Sequence, residues 1–148
     1  MKDKIVVATS GTFDLCHVGH INFLKKSREL GDYLVVGIKS DEKVYEQKGY
    51  VPVMKLQERI KTLEILPWVD EVYVHQASID GGVEEIVRKY NASFFTGGLD
   101  GAADQYIYPL VVSGYPVTYL KIDSESDVHT TNIKRRILEA QYGKSFYR

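Results

Sequence analysis

The chain has 148 residues, enough for one domain with a sizeable core and too few for two ordinary ones. Its 19 Lys and Arg against 20 Asp and Glu give a formal net charge of −1, so there is no electrostatic footprint for nucleic acid and RNA or DNA partners are excluded. A single cysteine, Cys16, excludes an intramolecular disulfide and fits a reducing compartment, with Cys16 itself a small packing residue. Met1, Lys2 and Asp3 lead straight into an apolar run, and no stretch approaches the length of a membrane span. The expectation is one soluble, cytoplasmic domain over residues 1–148 that does not bind a membrane.

The first expected strand, Lys4 to Ala8, is apolar without alternation, as a buried central parallel strand would be. It delivers residues 11–20, GTFDLCHVGH, to the start of an amphipathic helix. His17 and His20 are spaced i, i+3 and so share one face where that helix begins. The free N–H groups of the first turn point out of the same end with partial positive charge, which adds two imidazoles to an anion site, and Gly19 lets backbone and ligand approach closely. This arrangement suits phosphoryl or nucleotidyl transfer, where the protein positions reactants and stabilises charge on phosphorus oxygens. Zinc-protease helices space their histidines i, i+4 around a glutamate, so no metal site is assigned to the pair.

The following helix presents Ile21, Leu24 and Leu30 inward, with Gly31 as its C′ residue, and a second strand at Tyr33 to Lys39 completes a right-handed βαβ unit. Ser40 and Asp41 cap a short helix from Asp41 to Gln47. The loop after it begins at Lys48, which is either a solvated lysine or a phosphate ligand, because loops beyond the carboxyl ends of parallel strands bind ligands. Residues 55–66 repeat Leu56, Ile60, Leu63 and Leu66 at helical spacing, with Arg59 on the opposite side, before Pro67 breaks the helix. Trp68 packs or covers a surface. A third strand runs from Asp70 to His75, and His75 is read as structural. A helix from Val83 to Tyr90 leads to a buried strand, Ser93 to Thr96. The glycines of Gly97-Gly98-Leu99-Asp100-Gly101 then let backbone pass close to a base or ribose. A short helix over 104–112 is expected to be interrupted near Pro109, and Val117 to Ile122 forms the last strand. Thr130 and Thr131 are placed to cap a final helix from Asn132 to Gln141, bringing a second helix N-terminus to the site. Asp123, Glu125 and Asp127 read as a solvated loop rather than a metal site.

GTFDLCHVGH, set between strand and helix, resembles the signature of the cytidylyltransferase-like family, the HxGH nucleotidyltransferases. The resemblance implies a Rossmann-like three-layer α/β sandwich with a mainly parallel five-strand sheet. It implies that His17 and His20 hold a nucleoside triphosphate and stabilise the transition state at its α-phosphorus, with Lys48 reaching the triphosphate. Nucleotide contacts are implied at Gly11, Thr12, Phe13, Asp14 and Gly19, at Arg59 in the "ER…L" segment, and at Gly97, Gly98 and Asp100. The Thr130-Thr131 pair is similar to the family's second signature and is expected on the β and γ phosphates. His129 stands where many relatives have serine, either as a third phosphate-side donor or as an irregular cap. The arginine that many relatives place before the Thr pair is missing, leaving Arg135, Arg136 or a partner subunit to replace it.

Length and signature resemble glycerol-phosphate cytidylyltransferases, while KGYVPVMKLQERI and the Gly-Gly loop are similar to heptose-phosphate adenylyltransferases. The implied reaction joins CTP to a small phosphorylated polyol or sugar alcohol for surface-polysaccharide synthesis, releasing pyrophosphate. ATP with a sugar phosphate is the alternative. Mg²⁺ is expected with the triphosphate, and a homodimer is expected from the resemblance alone. A non-catalytic nucleotide-binding regulator is the alternative from another class, and an NAD module is disfavoured because no G-x-G-x-x-G follows the first strand.

Overall fold

Five apolar runs rich in β-branched and aromatic residues become the strands β1 (Val6–Gly11), β2 (Tyr33–Ile38), β3 (Glu71–Val74), β4 (Phe94–Gly98) and β5 (Thr118–Ile122). The helices between and after them are α1 (Val18–Arg28), α2 (Asp41–Lys48), α3 (Leu56–Glu64), α4 (Gly82–Tyr90), α5 (Asp104–Val112) and α6 (Thr130–Tyr142). The computed structural model describes residues 3–78 and 81–143. Met1 and Lys2, from which the absence of a leader was expected, lie outside the described residues.

All four strand pairings are parallel and the order is β3-β2-β1-β4-β5. The chain therefore winds outward from β1 through β2 to β3, returns over the sheet in α4, and continues on the other side of β1 through β4 and β5. That return makes the carboxyl ends of β1 and β4 the topological switch point, where loops diverge and leave a crevice for a ligand. Alternation along the strands sends Val7, Leu34 and Val36 to one face, against Leu24 of α1 and Leu63 of α3. Ala8, Val35 and Phe95 pack on the other face against Ile86 and Val87 of α4 and Ile107 and Leu110 of α5. Helices on both faces of a parallel sheet are the expected three layers. Among the described residues no helix is long and apolar enough to cross a membrane.

Several boundaries and burials differ from the sequence reading, each for a physical reason. β1 begins later and runs through Ser10 and Gly11, because pairing with β2 continues to Gly11↔Ile38 and the buried Thr9 hydroxyl is satisfied by Thr96 O at 2.8 Å. β4 likewise takes in Gly97 and Gly98, which pair with Lys121 and Ile122. α6 starts at Thr130, so the two threonines are its first residues and not its caps. Pro109 lies inside α5 without ending it, since Ile107 and Leu110 on either side are anchored in the core and Ser113 N–H still reaches Pro109 O at 3.1 Å. α1 buries Leu24 and Ser27, and the Ser27 hydroxyl pairs with Thr96 Oγ1 at 2.8 Å. Arg59 is fully buried, not on an outward face.

Gly31 is not a left-handed helix cap. The cap residue of α1 is Glu29, in right-handed conformation, and a Cβ on Gly31 would stand 2.6 Å from Ile5 O. Glycine is required there so that the α1–β2 turn can press on the chain entering β1, where Asp32 N–H and Tyr33 N–H both donate to Ile5 O. Gly31→Ala is expected to lower unfolding free energy by about 1–3 kcal/mol through overpacking, read from the urea midpoint at unchanged m-value.

Candidate functional site

The site begins with the way α1 starts. His17 is its N-cap in extended conformation, and its Nδ1 accepts the Gly19 N–H at 3.1 Å. His20, three residues on, turns back so that its Nδ1 accepts the His17 N–H at 3.3 Å. This is a capping box built from two imidazoles in place of a hydroxyl and a carboxylate. The rings stack with centroids 3.9 Å apart, and Phe13 closes the far side of His20 edge-on.

Accepting at Nδ1 has a chemical consequence. A neutral ring with an acceptor Nδ1 carries its proton on Nε2, so both rings become Nε2–H donors. Burial first, then repulsion from His17, hold His20 down at about 4, against the opposing pull of Asp14. Burial and His129 lower His17 as well. Near neutral pH the pair is therefore uncharged, oriented and donating.

Asp14 and Arg59 hold this turn in place. Each Asp14 carboxylate oxygen takes a backbone N–H, from Val53 at 2.7 Å and Met54 at 2.9 Å, which ties the loop between α2 and α3 to the signature. Arg59 is fully buried and all three of its nitrogens are engaged: Nε with Met54 O at 3.0 Å, one terminal nitrogen with Thr12 O at 2.9 Å, the other with Asp41 at 2.7 Å. Both residues were expected on the nucleotide. Asp14 pins a loop while also bordering the space beside the signature, and Arg59, with its nitrogens engaged, stands behind the site and donates to Thr12 O.

A cavity of about 530 Å³ opens over the carboxyl ends of the strands. It brings together most of the expected residues: Gly11, Thr12, Phe13, His17, Gly19, His20, Lys48, Gly97, Gly98, Asp100, His129 and Thr130. A smaller recess of about 190 Å³ adjoins it, where Thr131 and Lys134 join Asp14, His20, Lys48 and Thr130. Lys48 is the last residue of α2 rather than part of the following loop, and it borders both spaces. Asp100 Oδ1 accepts Ala102 N–H at 3.1 Å and so also shapes the turn into α5. His129 is the N-cap of α6 but closes no side-chain cap bond, so its ring is left for the cavity. The Thr130 hydroxyl donates to Asp14 O at 3.0 Å and lies 3.5 Å from His17 Nε2, linking the N-termini of α1 and α6.

Four contributors were not foreseen. Lys134 borders the recess, sits 4.7 Å over the Tyr50 ring and 3.9 Å from Asp14, while Arg135 lies 3.9 Å from Glu139 on its own helix. The i, i+4 spacing from Thr130 to Lys134 carried that information. Lys39 and Lys43 line the cavity, Lys39 being the residue immediately beyond β2. His75, expected to be structural, pairs with Ser10. It is buried, its Nε2 lies 2.7 Å from Ser10 Oγ, and it too lines the cavity. Its signal was Gly37, where a Cβ would stand 2.5 Å from the His75 ring. Burial is the main cause holding His75 at about 4. Burial also raises the Cys16 thiol, which is the behaviour of a packing residue and not of a nucleophile.

A family model described as cytidylyltransferase-like matches residues 8–136, nearly the whole described chain. The chain belongs to the cytidylyltransferase-like family. It is 36% identical over 140 residues to an ethanolamine-phosphate cytidylyltransferase of Dictyostelium discoideum, covering 93% of this chain and 38% of that protein. It is 35% identical over 131 residues to the bifunctional protein HldE of Desulfatibacillum aliphaticivorans, covering 88% and 26%, and 43% identical over 99 residues to an FAD synthase of Thermococcus sibiricus, covering 67% and 66%. The chain thus spans less than two thirds of the length of each of these relatives. Among solved structures, the lipopolysaccharide core biosynthesis protein from Thermoplasma volcanium GSS1 superposes with a TM-score of 0.69 at 27% identity, over 81% of this chain and 97% of that one.

Two expectations follow from the buried supports. Arg59→Met leaves three acceptors unmet and is expected to cost about 2–4 kcal/mol of stability, with nucleotide affinity falling alongside, measured by denaturant titration and calorimetry. His20 has a folded value near 4 against an ordinary value of 6.5, so the unfolded chain binds more protons between them. Its contribution is complete above pH 6.5 and is lost as pH falls toward 4. The expected melting temperature declines through that window, and His20→Asn, which cannot titrate, declines less steeply.

Proposed function

We propose that this domain transfers a cytidylyl group from CTP to a small phosphorylated polyol or sugar alcohol and releases pyrophosphate. The observation that carries the reading is the pair of imidazoles at the opening turn of α1, each accepting a backbone N–H at Nδ1 and both lining the cavity. In this reading a phosphate oxygen of the acceptor attacks the α-phosphorus in line. The new O–P bond forms as the bond to the β-phosphate oxygen breaks, and pyrophosphate leaves with the electron pair. The acceptor is already anionic, so no general base is needed.

His17 and His20 donate to the non-bridging oxygens where charge accumulates, together with the free N–H groups of α1. The first N–H groups of α6 with Thr131, Lys134 and Lys48 are the groups for the β and γ phosphates. Mg²⁺ bound through the triphosphate oxygens would supply charge screening on the phosphates. The Gly97-Gly98 end of β4 lies across the switch point and suits the nucleoside.

The cytidylyltransferase relative, aligned over 93% of the chain, supports CTP. ATP with a sugar phosphate is the second reading, supported by the relative HldE. Thermal-shift titration with each nucleotide and Mg²⁺ separates them: a shift with CTP is expected, and a shift with ATP alone rejects CTP. Pyrophosphate release over a panel of phosphorylated polyols then tests transfer. His17→Ala and His20→Ala are each expected to lower kcat by about 100–1000-fold, at a stability cost of about 1 kcal/mol for the lost cap. A folded wild-type protein that binds CTP and releases no pyrophosphate with any acceptor would favour a nucleotide-binding regulator.

A further inference from the structure

Three lysines line the cavity, and two have evident positions in the account above. Lys48 borders the recess, and Lys43 donates to His75 O at 2.6 Å. Lys39 is different. It follows Ile38, which pairs with Gly11 of β1 on one side and Val74 of β3 on the other, so its backbone stands between the start of the signature and His75. The side chain is half-buried and its ammonium gives a hydrogen bond to the neutral Gln47 Oε1 at 2.9 Å. The charged or titratable groups that act on it or that it acts on are Lys48 from α2 and His75 beyond β3, and neither is an acid. Burial first, and then Lys48, bring Lys39 down from 10.5 to about 8.

A cation drawn into a cavity wall without a carboxylate costs stability, and the remedy is an anion that the protein does not itself contain. The same wall offers hydroxyl chemistry. Ser10 Oγ and His75 Nε2 form a polar pair 2.7 Å apart, and Ser78 lines the cavity nearby. This wall lies on the β2–β3 side of β1, whereas Gly97, Gly98 and Asp100 lie on the β4 side, with the histidine pair between them.

We propose that Lys39 is the acceptor's anion-binding residue, and that the wall of Ser10, Lys39 and His75 selects a small hydroxylated phosphomonoester and holds its phosphate beside the α-phosphorus. The proposal rests on the nucleotidyl-transfer reading for its kinetics and on geometry alone for its binding. Nucleoside and acceptor then enter from opposite sides of β1, and each side carries its own selectivity.

The kinetic test uses CTP and glycerol 3-phosphate as the probe acceptor. Lys39→Met is expected to raise the acceptor KM at least about tenfold while the CTP KM stays within about twofold, and Lys39→Arg to restore most of the loss. Because the uncompensated cation is gone, Lys39→Met is also expected to melt above the wild type at pH 7. An acceptor KM within about twofold of wild type, a rise confined to the CTP KM, or a fall in melting temperature overturns the assignment. The binding test needs no turnover: the Lys39 side chain is titrated by NMR with and without inorganic phosphate. Phosphate is expected to raise its pKa by about one unit or more, and an unchanged titration overturns the subsite. A wild type that releases no pyrophosphate while phosphate still shifts Lys39 would sink the transfer reading and leave the anion site standing.

Discussion

The structure depends on one interaction, the reciprocal capping of α1 by His17 and His20. Helix starts are usually satisfied by serine, threonine or aspartate, whose oxygens accept and end there. An imidazole that accepts at Nδ1 still has a donor to offer at Nε2, so the same two side chains close the helix and present hydrogens to whatever lies above it. Burial keeps the rings neutral. A neutral, fixed donor needs no rearrangement when phosphate charge develops in front of it.

The remainder of the architecture holds that turn steady. Phe13 and Leu15 adopt left-handed backbone at φ +53° and +50°, a conformation that bulky residues resist and that the surroundings must enforce. Arg59 supplies part of that enforcement through Thr12 O, Asp14 through the Val53 and Met54 amides, and Thr130 through Asp14 O. Three separate segments, the loop before α3, α3 itself and the start of α6, thus converge on Thr12 and Asp14 of the signature. The sheet order places this knot at the switch point between β1 and β4, so the cavity above it is divided by β1 into two sides of different chemistry. One is glycine-rich, with the carboxylate of Asp100. The other carries Lys39, Ser10 and His75.

The sequence made the frame legible because its signals are local. An apolar run without alternation marked β1, short runs rich in β-branched and aromatic residues marked the other strands, and i, i+3 spacing marked the histidine pair. Boundaries were less legible where a polar residue is satisfied by a distant one: Thr9, just past the apolar run that marked β1, belongs to the strand because its hydroxyl pairs with Thr96 across 87 residues. Arg59 misled for the same reason, since a helical arginine opposite the apolar stripe looks exposed unless Thr12 O, Met54 O and Asp41 are known to wait beneath it. Lys39 and His75 were hidden because strand ends carry no periodic pattern, and Lys43 because it sits on α2; the parallel order β1-β2-β3 brings all three to one cavity. Gly37 was a readable clue to His75, and Thr130 to Lys134, but each required knowing which face mattered.

The tautomeric state of the two histidines tests this account most directly. In ¹⁵N-labelled protein between pH 6 and 8, long-range nitrogen–proton correlations of His17 and His20 should place both rings in the neutral Nε2–H form, with an unprotonated Nδ1. Rings that titrate through that range, or that carry the proton on Nδ1, would mean that the backbone of α1 does not orient the donors, and the explanation of the site would be wrong.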